Sequence, residues 1–350
     1  MRSNRGYPKD LVQNNLIMGN KDYRDGIYRN HDPQQDVING ISIDQVYKVD
    51  MGIPRNYKEA SIQPMWISAQ DEHVTKMVDN KVFSVEQPPP GIKPLGCRYV
   101  YKRLEDGTAS ARLVAQGCGQ VPGLDFTETF APTTRMEPIR LGLQVMVQKK
   151  MIVEQMDFSS AYLNSDLDRP IYMRAPPGYK VPPGHCFLLK KALYGLKQSG
   201  NLWNNTLNEF LLKLGFKRSM ADTCMYTKLE GKSEIILLLW VDDVIVGASD
   251  NVTLEKFKEA VRASFAIKEL GALKSFLGID FNCTKEQITM SQSTYIKKIL
   301  DRFGMTDCKT KTLPCATGIN KELSTDSKPF EDITLYREMV GSLIYVMFAT

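Results

Sequence analysis

The sequence predicts an α+β fold in which antiparallel hairpins are backed by amphipathic helices. Short apolar runs joined by brief polar turns recur at 98–115, 234–247 and 275–290, the pattern of strand–turn–strand units. Apolar residues at helical spacing mark other stretches, near 66–77, 138–147, 203–214, 254–265, 295–303 and 335–347. Pro and Gly clusters at 87–91, 176–178 and 181–184 punctuate the chain between them.

With 350 residues there is room for two or three domains, or one large divided one. Apolar content of 43% and charged content of 24% are those of a globular protein with a sizeable core. A net charge of +5 is compatible with a nucleic-acid partner without requiring one. The longest uninterrupted apolar runs, of about seven residues, are far short of a membrane span, and no signal-peptide core follows Met1, so no membrane partner is expected. Seven scattered cysteines without a Cys-x-x-Cys pair, and three histidines, argue against a zinc site or a disulfide framework and for a reducing compartment.

Residues 1–60 are polar and broken by Gly, Pro, Asn and Asp, and read as a linker or extended arm. Trp66, Ala69, His73, Val74 and Met77 then predict a helix, with His73 on its face rather than in a metal site. The 98–104 and 111–115 runs read as strands around an Asp106-Gly107 turn. This hairpin carries Lys102, Arg103 and Arg112. Such cations suit a triphosphate or, on the plainer reading, keep a solvated edge strand from pairing with other chains.

A helix over 138–147 should turn Ile139, Leu143, Val145 and Met146 inward. Run 152–158 reads as a strand with Asp157 near its C-terminal end, where metal ligands and turn residues both occur. Ser159 is expected to cap a helix starting at once through Ala161, Tyr162 and Leu163. Trp203, Leu207, Phe210, Leu211 and Leu214 specify a helix stopped by Gly215, its aromatic stripe reading as core. His185 and Cys186 lack the further partners a metal needs. Leu254, Phe257, Val261 and Phe265 mark one face of the next helix. Run 275–281 reads as one strand, with Gly278 permitting a close backbone approach and 288–290 as its hairpin partner. A short helix over 295–303 ends at Gly304, and Leu335, Met339, Leu343 and Met347 mark a last one.

The stretch at 234–247 organises the rest. An apolar run stops at Asp242 and Asp243, and a second, 244–246, follows, so two adjacent carboxylates sit at a hairpin tip. No Lys or Arg lies between Glu234 and Glu255. Neighbouring like charges raise each other's pKa unless a cation compensates. Asp-Asp is also ordinary turn chemistry. Asp157, on a different strand, is the third carboxylate that turns the pair into a candidate metal site. Three carboxylates on two strands can hold two Mg²⁺ ions roughly 3.5–4 Å apart, with Mn²⁺ as the alternative, to activate a 3′-hydroxyl and stabilise a leaving pyrophosphate.

At these residues the sequence resembles the reverse transcriptase of copia-type retrotransposon Pol polyproteins. The likeness runs through Trp66-Ile-Ser-Ala-Gln-Asp-Glu72, Ala111-Arg-Leu-Val-Ala-Gln-Gly117, Gly123-Leu-Asp-Phe-Thr-Glu-Thr-Phe-Ala-Pro132 and Gln155-Met-Asp-Phe-Ser-Ser-Ala-Tyr-Leu-Asn164. It continues through Ile171-Tyr-Met173, Leu193-Tyr-Gly-Leu-Lys-Gln198 with Trp203, Trp240-Val-Asp-Asp243, Phe276-Leu-Gly-Ile279 and Tyr336-Arg-Glu-Met-Val-Gly-Ser-Leu-Ile-Tyr345. Asn15-Leu-Ile-Met-Gly19 resembles the segment joining integrase to reverse transcriptase in such polyproteins.

The resemblance implies a right-hand polymerase fold of fingers, palm and thumb, with an antiparallel palm sheet backed by helices. It implies an arm over 1–60, fingers and palm over 61–282, and a thumb or connection over 283–350 that stops before an RNase H domain. Asp157, Asp242 and Asp243 match the metal-binding aspartates of an RNA-directed DNA polymerase. Arg112, with Lys102 or Arg103, matches the cations on the incoming triphosphate. Tyr162 matches the aromatic that excludes a ribose 2′-hydroxyl, and Leu193 to Gln198 match the segment beside the nascent base pair. Phe276, Leu277, Gly278 and Ile279 match the turn that grips the primer end. The implied partners are an RNA or DNA template with its primer and deoxynucleoside triphosphates. The implied location is intracellular, in cytoplasmic element particles. Trp240, Ser110, Asn201, Cys118 and Ser165 depart from the family's usual Tyr, Lys, Arg, Phe and Gly. They keep open the alternative of a catalytically decayed, nucleic-acid-binding relic.

Overall fold

The computed structural model describes residues 52–104, 106–284, 286–314 and 331–349, with short strands at Tyr28–Arg29, Val37–Ile38 and Ile41–Ser42. Most of the expected 1–60 arm, and 315–330 of the expected thumb, lie outside the described residues. The chain divides into two compact units: Met1–Pro132 with Ser160–Phe210, and Thr133–Ser159 with Leu211–Thr350. No helix among the described residues is long and apolar enough to cross a membrane.

In the first unit, helix Pro64–Asp79 starts with Pro64, whose fixed φ suits a first turn, and buries Trp66, Ala69, Gln70, Val74 and Met77 along one stripe. That stripe lies on the hairpin Cys97–Arg103/Ala109–Ala115. The strands alternate as period two requires: Tyr99, Tyr101, Ala111, Leu113 and Ala115 point in, and Arg98, Val100, Lys102 and Arg112 point out. Trp66 meets Tyr101 edge-on at 5.5 Å, and Gln70 Nε2 donates to the Tyr101 hydroxyl at 2.9 Å. A second, three-stranded antiparallel sheet is made by Phe83–Glu86, Cys186–Lys191 and Asp166–Met173, with Phe83 stacked on Phe187.

His73, as expected, sits on the face of the first helix. Burial, with the Arg112 and Lys76 charges adding, pushes its pKa from 6.5 down to about 4. An unfolded chain takes up this proton near pH 6.5 and the folded one does not, so stability is lost as pH falls from about 6.5 to about 4. The loss from this group is at most about 3 kcal/mol. In urea unfolding at pH 7 and pH 5, His73→Gln should lose less stability between the two than the parent chain; equal losses would remove His73 as the cause.

The second unit is organised by a six-stranded, wholly antiparallel sheet. Its order is Lys217–Arg218, Met225–Glu230, Ser233–Trp240, Asp243–Ala248, Ile152–Phe158, Ile267–Ala272. Helix Met136–Gln148 covers one face with Ile139, Leu143 and Met146. It lies close because Gly142 and Gly247 carry no side chain: a Cβ there would come within 2.8 Å of Leu238 and 2.6 Å of Met146. Helix Asn251–Arg262 lies against the opposite face, capped by Asp250, whose Oδ1 accepts from Thr253 N at 2.8 Å. Its buried Lys258 bonds Glu154 at 2.6 Å and Glu269 at 3.3 Å, tying the helix to two strands of the sheet. A small sheet of Ser275–Phe276, Ile279–Cys283 and Ile288–Ser291, then helices Ser293–Arg302 and Ile333–Ala349, complete the unit.

Four local expectations are corrected. Ser159 caps no helix: its N–H stays in the sheet, donating to Ala266 O at 2.9 Å. The chain reverses at Ser160 (φ 54), and a single 3-10 turn, Ala161–Asn164, leads into strand Asp166–Met173. Segment 275–281 is not one strand but a tight hairpin, because Leu277 and Gly278 both take positive φ (51 and 74), as a two-residue I′ turn requires. Phe265 lies past the end of its helix, edge-on to Phe158 at 5.4 Å. In the last helix Leu343 and Met347 face out, while Ser342 and Ala349 are buried. That helix is apolar around most of its circumference, so spacing alone does not select a face.

Candidate active site

Strand register puts four residues in one row of the large sheet: Trp240 opposite Asp243, Asp243 opposite Asp157, and Asp157 opposite Lys268. Directly opposed residues project from the same face with Cβ atoms about 4.5–5.5 Å apart. Asp157 and Asp243 are thus brought together from different strands. Lys268 was missed by sequence reading, because only the register between two strands more than a hundred residues apart brings it opposite Asp157.

Asp242 stands in the turn. Val241 and Asp242 connect the paired Trp240 and Asp243, and of the two only Val241 has a positive φ, 54. One positive φ at the first central position is the pattern of a II′ hairpin turn, where Gly is usual. A β-branched side chain there costs on the order of 1–3 kcal/mol. The turn is tied down, because Phe158 N donates to Asp242 O at 2.8 Å and joins it to the end of the Asp157 strand.

All three aspartates are half-buried. Burial, and then the Asp242 charge, raise the pKa of Asp243, while a long hydrogen bond from Gln155 Nε2 (3.5 Å) opposes them. Among the described residues, no three His, Cys, Asp or Glu side chains converge closely enough to hold a metal ion as they stand. The donor set is nonetheless all hard oxygen, and the Asp242 charge beside Asp243 leaves like charges that a divalent cation would relieve, which fits Mg²⁺ or Mn²⁺ chemistry.

The residues expected at a nucleotide divide into two groups, all in the first unit. Lys102 and Arg112 share the outer face of their hairpin, with Ser110 opposite Lys102 and Val100 opposite Arg112. Arg112 lies over the ring of Tyr194, 4.3 Å from its centroid, and Tyr194 in turn meets Tyr162 at 4.3 Å. Arg103 is on the other face, with Nη2 3.9 Å from Met65 Sδ. Gln198 is buried: its Nε2 donates to Asp125 O at 2.9 Å and its Oε1 accepts from Gln120 Nε2 at 3.0 Å. It holds the 120–125 loop rather than facing outward. Tyr194 was overlooked although it lies inside the Leu193–Gln198 motif; an aromatic residue next to the glycine of that motif was the signal available.

In the turn expected to grip a primer, Phe276 and Ile279 are buried anchors, Leu277 is half-buried and Gly278 is exposed. The Tyr345 hydroxyl donates to Leu277 O. Two of the departures are accommodated. Ser165 Oγ accepts from Thr206 Oγ1 at 2.9 Å, and Asn201 Nδ2 donates to Phe130 O at 2.7 Å.

Comparison with known proteins matches residues 80–317 to the reverse transcriptase (RNA-dependent DNA polymerase) family. The retrovirus-related Pol polyprotein from transposon RE2 of Arabidopsis thaliana is 35% identical over 303 residues, 84% of this chain and 21% of that one. The Pol polyprotein from transposon TNT 1-94 of Nicotiana tabacum is 32% identical, over 85% of this chain and 24% of that one. The putative transposon Ty5-1 protein of Saccharomyces cerevisiae is 32% identical, over 54% of this chain and 62% of that one. The chain therefore spans about a fifth of the length of the plant polyproteins it matches. Among solved structures, a foamy viral protease-reverse transcriptase in complex with double-stranded DNA matches 67% of this chain and 36% of that chain, at 14% identity and a TM-score of 0.39.

Proposed function

The chain belongs to the copia-type reverse transcriptase (RNA-dependent DNA polymerase) family, and on that premise we propose that it extends a primer 3′-end with deoxynucleotides on an RNA or DNA template. The observation that carries the reading is the opposed pair Asp157 and Asp243 with Asp242 in the tethered turn beside them. These carboxylates would hold the divalent metal, Mg²⁺ or Mn²⁺. When bound, the metal supplies positive charge that favours the ionised 3′-hydroxyl and the leaving pyrophosphate.

The chain's own residues do the rest. Arg112 and Lys102, on one face, bind the triphosphate, and Tyr162 presents its ring to the sugar. The Leu277–Gly278 turn, on its buried Phe276 and Ile279 anchors, presents main chain to the primer. In this reading 61–282 are fingers and palm, 283–350 thumb or connection, and 1–60 an arm. Gln198 and Arg103 are left out of the nucleotide set because the structure turns both toward other partners.

A second reading, a binding relic without turnover, is favoured by Ser110, which replaces a cation opposite Lys102. The test is primed poly(rA)·oligo(dT) given to the 350-residue chain, measuring binding against salt and extension with Mg²⁺. Metal-dependent extension supports the polymerase. Salt-sensitive binding with no extension, beside an active control enzyme, supports the relic.

A further inference from the structure

Tyr194 has no role in the reading above, yet it touches both residues assigned to the two ends of a nucleotide. We propose that the Tyr194 ring is the positioning shelf that holds Arg112 toward the triphosphate and Tyr162 toward the sugar of an incoming deoxynucleotide. The inference rests on the proposed polymerase reading and deepens it.

Arg112 is exposed on its strand, and a long Arg side chain left to itself is spread over many rotamers. The Tyr194 ring face, 4.3 Å from the guanidinium carbon, restrains it by a cation–π contact. A carboxylate partner would neutralise the charge and occupy the N–H edges. An aromatic face does neither, so the guanidinium keeps its charge and its donors for phosphate oxygens.

Tyr162 comes from a single 3-10 turn entered through left-handed Ser160, with no regular helix to orient it. Its ring meets Tyr194 at 4.3 Å with planes tilted by 47°. One ring therefore sets two side chains that are 50 positions apart in sequence, 112 and 162.

The shelf itself is rigidly placed. Leu193 and Leu196 on either side of it are in the core. Ala115 N, three residues along the Arg112 strand, donates to Tyr194 O at 2.8 Å. Gly195 follows at φ 94, so close to that strand that a Cβ would lie 2.0 Å from Ala115 O. The backbone crossing fixes Tyr194 relative to Arg112, and the ring it carries meets Tyr162.

The test compares Tyr194→Leu and Tyr194→Phe in the full chain, with steady-state extension of primed poly(rA) by dTTP and by UTP. The leucine variant should raise the KM for dTTP about tenfold with kcat changed far less, and should narrow the preference for dTTP over UTP. The phenylalanine variant, which keeps the ring, should recover most of both. A leucine variant with unchanged KM and unchanged preference overturns the proposal, as does a phenylalanine variant as damaged as the leucine one. Tyr194→Met, nearer in length, takes the same test if the leucine variant does not fold. A wild-type chain that extends nothing defeats the polymerase reading instead. The shelf is then read by urea unfolding of Arg112→Leu, Tyr194→Leu and the double variant. A double loss smaller than the sum of the single losses supports the contact, and additive losses overturn it.

Discussion

Asp243→Asn should lower the single-turnover extension rate by on the order of 10³-fold or more, and at the same time stabilise the metal-free fold. The rate loss follows from replacing a charged oxygen donor that shares a sheet row with Asp157. The stability gain follows from the direction of the Asp243 pKa. Burial and the Asp242 charge raise it above the ordinary value of 3.8. A carboxyl that holds its proton more tightly in the folded than in the unfolded chain loses stability as pH rises from the unfolded to the folded value. Above that window the wild type bears the whole cost and the Asn variant none. Thermal unfolding in EDTA should therefore show the variant more stable at pH 7, with the gap closing toward pH 3. A variant less stable at pH 7 would mean that the Asp243 carboxylate is held by favourable contacts, contrary to the charge balance of the site.

Gly195→Ala should be the most damaging small substitution in the first unit, costing about 3 kcal/mol or more in urea unfolding. Two causes add. The backbone is at φ 94, where an L side chain is strained, and the new Cβ would meet Ala115 O at 2.0 Å and Ala115 C and N at 3.1 Å. These are backbone atoms of a paired strand and cannot swing aside as a side-chain tip does. Gly123, at φ 80 with nothing within 4 Å of a built Cβ, is the control: Gly123→Ala should cost only about 1 kcal/mol. Equal costs at the two positions would show that strain alone, and not the backbone crossing, decides the outcome.

The parts of the fold that could be read from sequence are those whose signal is local. The Asp-Asp hairpin, the Cys97–Arg103/Ala109–Ala115 hairpin and the helices ending at Gly215 and Gly304 each carry their own periodicity and stop signal. What was missed depends on partners far along the chain. Strand Met225–Glu230 alternates too weakly to announce itself, and exists because Ser233–Trp240 pairs with it. Ser159 has the side chain of a helix cap, but its N–H is claimed by Ala266, more than a hundred residues on.

At the site, the chemistry of Asp157, Asp242 and Asp243 was legible because two adjacent carboxylates with no Lys or Arg near them in sequence are joined by a third at the end of another apolar run. Their arrangement was not, since it needs the register between two strands about ninety residues apart. The choice between Lys102 and Arg103 as partner to Arg112 is a matter of strand parity. Opposite faces follow from adjacent positions, and the pairing of Val100 with Arg112 sets Lys102 on the Arg112 side.

The central claim is that Asp157 and the Asp242–Asp243 pair form one metal-dependent centre. It is tested most directly by single-turnover primer extension with the 350-residue chain and its Asp157→Asn variant across a Mg²⁺ series. The expected result is extension that rises with Mg²⁺ in the wild type and falls by on the order of 10³-fold in the variant at every concentration. A variant within tenfold of the wild type, with the same Mg²⁺ dependence, would contradict it.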